Sequence, residues 1–212
     1  YDTLTIDATD LSTAAATIDA KAELNAKVII NTGGGGDTIS ATRSANFGDS
    51  INSGAGNDTI QFVNDGDLTN IDTVDGGAGT DTVSFSAAST VTDAHFANFS
   101  NIETVTAAAT TAFTALTLGT NALAAGVETL TLQAANSVVT VDSGFTGPLA
   151  IAVSTGDVSV DASGSSGAMS FSAAVASITE DDTISGGSGS TDSLTLTADN
   201  GTTNLSGVTG IE

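Results

Sequence analysis

A repetitive all-β chain of the solenoid or β-roll kind, with at most one or two short helices, is the fold class this sequence predicts. Three observations lead there. Ala, Thr, Ser, Gly, Val and Asp dominate the composition, Cys and Trp are absent, and Pro and Met occur once each. Small and β-branched side chains suit pleated, closely stacked backbone better than helix packing. Glycine-rich blocks of similar length recur at TGGGGDTIS (Thr32–Ser40), NSGAGNDTIQ (Asn52–Gln61), GGAGTDTVS (Gly76–Ser84) and GGSGSTDSLT (Gly186–Thr195). Between them run short segments in which Thr alternates with an aliphatic residue, the period-2 pattern of a strand.

The chain opens on such a segment, YDTLTI (Tyr1–Ile6). Ser12–Lys27 is Ala-rich and is the best candidate for a helix, and Thr92–Phe99 for a single helical turn. NIETVT (Asn101–Thr106) and GVETLTL (Gly126–Leu132) each place a Glu at the entry to an alternating strand, and GIE (Gly210–Glu212) is a truncated copy. Further strands are expected at Ser137–Ser143, Leu149–Ser154, Asp157–Ser163 and Ser193–Asp199. Phe47, Phe62, Phe85, Phe96 and Phe99 read as core anchors near the glycine blocks. Residues 1–100 therefore form a glycine-block region and 101–212 a strand-repeat region with a further block near 181–195. Residues 101–180 suit a solenoid or a sandwich. The sequence reads as a segment of a longer chain.

The 212 residues are 40% hydrophobic, enough for a core. Lys and Arg number three against 25 Asp and Glu, a net charge of −22. That balance excludes nucleic acid, whose phosphates demand basic side chains, and disfavours an anionic membrane surface. No apolar run approaches the roughly 20 residues of a membrane span. The absence of Cys removes disulfides, so an extracellular chain of this kind needs another staple, of which a metal is one. One His cannot support a Ser–His–Asp triad, and no Gly-Lys follows the GGGGD run to make a phosphate loop. At 4% aromatic residues, no acid stands in an aromatic cleft. The sequence predicts no enzyme.

The glycine blocks carry the chemistry. After each comes Asp, any residue, then an aliphatic: Asp37/Ile39, Asp58/Ile60, Asp81/Val83, Asp192/Leu194. Before three of them stands a second acid, Asp49, Asp72 or Asp182, with Val28 at that place in the first. Asp49 precedes Asp58 by nine residues and Asp72 precedes Asp81 by nine, whereas Asp182 and Asp192 are ten apart. A nonapeptide with a glycine turn, an Asp and one inward aliphatic is the repeat G-G-x-G-x-D-x-U-x of calcium-binding stacked turns. Glycine lets carbonyls converge, and Asp supplies the charged oxygen that calcium, a hard cation taking six to eight oxygens, requires. Asp65 and Asp67 read as an acidic exposed turn, with an oxygen-ligand loop as the alternative. Glu103, Glu128, Glu212 and Asp2 recur as structural corner residues that stack or accept turn N–H groups, with calcium ligation as the alternative.

At these residues, and most specifically over Gly76–Thr106, the chain resembles the RTX (repeats-in-toxin) proteins of type I secretion. Within that class it is similar to calcium-dependent S-layer proteins and large bacterial surface proteins. The resemblance implies Ca2+-stapled β-solenoid repeats that fold outside the cell. It implies carboxylate ligation by Asp49, Asp58, Asp72, Asp81, Asp182 and Asp192, completed by turn carbonyls near Gly54, Gly56, Gly77 and Gly79. The expected role is a structural module of a surface layer or fibre, self-assembling into a homo-oligomer or lattice, with cell-surface polysaccharide as a further candidate partner. A spacer or ligand-binding segment of an RTX adhesin, or the calcium-binding tail of a secreted hydrolase, are the alternatives.

Overall fold

Alternation of Thr with an inward aliphatic builds short parallel strands in the computed structural model. It describes residues 2–41, 46–63, 66–86, 90–108, 115–154, 157–189, 191–197 and 203–212. The first eight strands are β1 (Asp2–Ala8), β2 (Thr17–Asp19), β3 (Ala26–Thr32), β4 (Thr38–Ser40), β5 (Ser50–Asn52), β6 (Thr59–Phe62), β7 (Thr73–Asp75) and β8 (Thr82–Phe85). Next come β9 (Thr90–Val91), β10 (Phe99–Ser100), β11 (Thr104–Ala107), β12 (Ala115–Leu118), the helix α1 (Thr120–Ala125), β13 (Thr129–Leu132) and β14 (Val138–Val141). The last six are β15 (Leu149–Val153), β16 (Ser159–Asp161), β17 (Met169–Ala174), β18 (Thr183–Ser185), β19 (Ser193–Thr197) and β20 (Val208–Thr209).

Successive strands fall alternately into facing sheets, so the chain winds as a β-solenoid. A common sheet runs the length of the molecule in the order β19-β17-β15-β13-β11-β8-β6-β4-β2. Against its first half lies a five-stranded sheet, β1-β3-β5-β7-β10, and against its second half a six-stranded one, β20-β18-β16-β14-β12-β9. The second facing sheet begins with β9 before the first ends with β10, so the two overlap within one coil, while the common sheet continues from β8 to β11. One coil takes from 20 residues (Leu149 over Met169) to 25 (Thr104 over Thr129).

Exact register makes the core a set of single files. In the common sheet Ile18, Ile39, Ile60, Val83, Val105, Leu130, Ile151, Phe171 and Leu194 stand one over the next. Ile6, Ile30, Ile51, Val74 and Phe99 form the facing file in the first half. Val91, Leu116, Val139, Val160, Ile184 and Val208 form it in the second. The rings of Phe62 and Phe85 stack at 5.7 Å between centroids, and Phe96 meets Phe99 edge-on at 5.5 Å. All four are buried, as are Phe145 and Phe171, whereas Phe47 is only half-buried.

The helix expected over Ser12–Lys27 is not formed. That stretch turns into β2 and then enters β3. Ala16, Ile18, Ala20 and Ala26 are its buried residues, the first three at a spacing of two, and Ile18 pairs over Ile39 in the common sheet. Tertiary pairing with β4 overrides the helix preference of the alanines. The single turn expected near Thr92 forms as a 3-10 turn over Asp93–Phe96, with His95 Nδ1 accepting the Thr92 N–H at 3.0 Å. Helix α1 sits between Gly119 and Gly126, the latter left-handed at φ 106°. Its N-terminal N–H groups are held from the preceding coil, where Asp93 accepts those of Gly119, Asn121 and Ala122.

Candidate metal centre

Each glycine block is the turn that carries the chain from a facing strand into the common sheet. Gly77 and Gly79 are left-handed, at φ 87° and 143°. A Cβ on Gly77 would lie 1.9 Å from the Gly54 carbonyl oxygen, and one on Gly79 1.8 Å from that of Gly56. Only glycine therefore allows neighbouring coils to approach this closely. The Gly54 oxygen already accepts the Ala78 N–H at 2.8 Å. The Gly56 oxygen faces along the axis toward the next coil.

Immediately after the turns, the aspartates form a ladder along the same corner. Asp37 Oδ1 accepts the Ala16 N–H, Asp58 Oδ1 that of Asp37, and Asp81 Oδ1 that of Asp58, at 2.6, 2.7 and 2.8 Å. Asp192 Oδ1 does the same for Met169 at 2.7 Å. One oxygen of each carboxylate is thus fixed by backbone. The other is not: Oδ2 of Asp37, Asp58, Asp81 and Asp192 is buried without a hydrogen-bond partner, in side chains 2% exposed or less. A buried ionised oxygen with no donor is costly unless a cation meets it.

Asp49, Asp72 and Asp182 lie on another corner, before the facing strands. The members of each nine-residue pair are therefore separated, Asp49 from Asp58 and Asp72 from Asp81, and each stacks instead on its counterpart in the next coil. Asp49 Oδ1 accepts the Val28 N–H and Asp72 Oδ1 that of Asp49. Asp72 Oδ2 takes the N–H and hydroxyl of Thr69 at 2.7 and 3.0 Å. Asp182 repeats the pattern, with Val158 N–H on Oδ1 and Thr179 N–H on Oδ2. Both oxygens of Asp72 and Asp182 are thus occupied by protein donors, which makes these residues caps of the corner backbone. Asp67 is buried, not an exposed turn residue, and its Oδ2 accepts the Val63 N–H at 3.1 Å; Asp65 lies outside the described residues.

Where the aspartate ladder ends, glutamate continues it. Glu103 Oε2 accepts the Asp81 N–H at 2.7 Å, and the Glu103 N–H returns to the Asp81 carbonyl. Glu128 stacks on Glu103 through backbone alone, its side chain exposed. Glu212 shares only the backbone part of this contact with Asp192, its N–H 3.1 Å from the Asp192 carbonyl and its side chain exposed.

Burial raises the Asp58 carboxyl and pushes Asp81 up to about 6, the charges of Asp58, Glu103 and Asp75 adding to the effect on Asp81. Asp72 is likewise pushed up to about 6, chiefly by burial. The Ser53 hydroxyl beside Asp58 favours the charged form, but directs its proton to the Gly76 carbonyl at 2.9 Å. Among the described residues no three acidic or histidine side chains converge on one point. A bound cation would therefore be held by one or two carboxylates together with turn carbonyls. That all-oxygen donor set fits calcium rather than a softer metal.

Sequence reading missed the first position of each block, occupied by Thr32, Ser53, Gly76 and Gly186. The Thr32 hydroxyl donates to the Ser53 carbonyl and the Ser53 hydroxyl to that of Gly76. The change from hydroxyl to glycine was visible, but not its meaning. An open groove of about 440 Å3 lies elsewhere, lined by Asn136, Val138, Asp157, Ser159 and Asp181 among others. No helix among the described residues is long and apolar enough to cross a membrane. No protein-family profile, curated protein or solved structure matches this chain.

Proposed function

We propose that this chain is a calcium-stabilised structural module of a bacterial surface layer or extracellular fibre, assembling with copies of itself. The observation that carries the reading is the corner ladder of Asp37, Asp58 and Asp81, echoed at Asp192, whose second oxygens are buried and unpartnered. Calcium, when bound, would supply charge neutralisation for these carboxylates. Asp37, Asp58, Asp81 and Asp192 would hold it, with turn carbonyls. Asp49, Asp72 and Asp182 would support it by fixing the opposite corner. Without the cation, clustered carboxylates oppose a thin core of two or three inward apolar residues per strand, so binding energy becomes folding energy.

A net charge of −22 fits a cation-rich extracellular setting. The adhesin-spacer reading is favoured by the solenoid's uninterrupted axial core, which suits a stiff rod. One titration separates the two. Calcium is added to chelated protein while far-UV circular dichroism and light scattering are recorded together. Assembly predicts β structure and scattering rising in step, a spacer predicts β structure alone, and no response at millimolar calcium refutes both.

A further inference from the structure

The two glycine blocks that end a ladder share a geometry that the interior blocks lack. In the interior, the first turn residue is Thr32 or Ser53, whose hydroxyl caps the carbonyl of the next coil. At the ends this residue is Gly76 or Gly186. A Cβ on Gly76 would lie 2.0 Å from the Asn101 carbonyl oxygen and 2.7 Å from Asp81 Oδ2. A Cβ on Gly186 would lie 2.0 Å from the Gly210 carbonyl oxygen and 2.8 Å from Asp192 Oδ2. In both places a backbone oxygen and a buried carboxylate oxygen thus close on one spot that no hydroxyl occupies.

The residues presenting those carbonyls match as well. Asn101 and Gly210 are both left-handed, at φ 55° and 64°, and each is followed by Ile and then Glu. Ile102-Glu103 and Ile211-Glu212 set the glutamate backbone on the Asp81 and Asp192 carbonyls, at 3.2 and 3.1 Å. Asp81 and Asp192 are both fully buried, and their Oδ2 atoms have no partner. The two oxygens at each place stand within about 5 Å of one another, inside the span of a calcium shell with bonds of about 2.3–2.6 Å.

We infer that Glu103 and Glu212 are closing ligands of two equivalent divalent-cation sites. One is built from Asp81, the Asn101 carbonyl and Glu103, the other from Asp192, the Gly210 carbonyl and Glu212. The inference rests on the calcium reading above and adds to it the ligand that completes a ladder with no further aspartate. It explains how an isolated block with ten-residue spacing forms a whole site: Asp192 needs only the following G-I-E corner, not a second glycine block. Glu128 provides the internal contrast. It occupies the same corner after Gly126 and Val127, but the coil beneath it presents Glu103 rather than a glycine block.

The test counts calcium bound to the whole chain by equilibrium dialysis against radioactive calcium, for wild type, Glu103→Gln, Glu212→Gln and Glu128→Gln. Glutamine keeps an oxygen for the Asp81 N–H, so far-UV circular dichroism of Glu103→Gln in saturating calcium stays that of wild type. Glu103→Gln and Glu212→Gln should each weaken one site ten-fold or more, while Glu128→Gln binds as wild type. If Glu103→Gln fails to fold, Glu212→Gln decides, because its side chain is exposed and holds no ladder hydrogen bond. Wild-type binding in both glutamine variants, or an equal loss in Glu128→Gln, overturns the assignment and leaves the calcium reading standing. A wild-type chain that binds no calcium overturns both.

Discussion

Mild acid should stabilise the calcium-free protein and destabilise the calcium-loaded one. Asp72 carries the magnitude, because it is 2% exposed and burial pushes its carboxyl from 3.8 up to about 6. A raised carboxyl means that the folded state binds more protons than the unfolded state between those two values. Stability therefore falls as pH rises through the window and is lost above about 6. Linkage with those values gives about 1.4 kcal/mol at about pH 5 relative to about pH 7.5, and about 3 kcal/mol below about pH 3. Asp58 and Asp81 add in the same direction. Asp7, Asp19 and Asp161, held below the ordinary carboxylate value mainly by hydrogen bonds from Thr9, Lys21 and Ser163, act only at lower pH. With saturating calcium the slope inverts, because protons compete for the ligating carboxylates. The assay is urea unfolding followed by circular dichroism at the two pH values, in chelator and in calcium. A chelated protein that gains stability from pH 5 to 7.5 would refute the burial argument. A calcium-loaded protein with the same slope as the chelated one would refute carboxylate ligation.

Gly66→Ala and Gly77→Ala start from the same φ of 87°, but nothing lies within 4 Å of a Cβ at Gly66. The first should cost about 1 kcal/mol of backbone strain, and the second about 1–3 kcal/mol more as two coils are forced apart, read as the difference in urea midpoints. Asp93→Ala removes the acceptor of three N–H groups at the start of α1. It should destabilise by about 2 kcal/mol, and an unchanged midpoint would remove Asp93 from that role. Phe85→Ala empties a buried position stacked on Phe62 and should cost about 3–5 kcal/mol in the same assay.

The fold was legible where local and long-range demands coincide. Thr-aliphatic alternation in Thr104–Ala107, Thr129–Leu132 and Val138–Val141 is a strand pattern in isolation and a core file once stacked, so sequence and structure agree there. Ser12–Lys27 misleads because Ala favours helix locally but also fits the thin interior of a coil, and only pairing of Ile18 with Ile39 decides between them. Helix α1 goes the other way: Asn121–Ala125 carries a weak pattern, and its N-terminus is fixed by a carboxylate 26 to 29 residues earlier. At the corner, sequence spacing identified the aspartates, but not which of them keep an oxygen unoccupied. Thr69 and Thr179 fill Asp72 and Asp182 from three residues away, a T-x-x-D spacing that could have been read. The opening beside Asp81 depends on the missing hydroxyl of Gly76 against a carbonyl one coil later, which spacing does not encode.

The single-file core has a mechanical consequence. Each coil pairs with the coil before and after it, so tension applied along the stack passes through every inter-coil contact in series and the contacts yield one at a time. Releasing a coil of 20 to 25 residues lengthens the chain by about 70–90 Å at 3.3–3.6 Å per residue. Under load the molecule is a stack of nearly equal fuses, each yielding a large, repeatable extension while its neighbours hold.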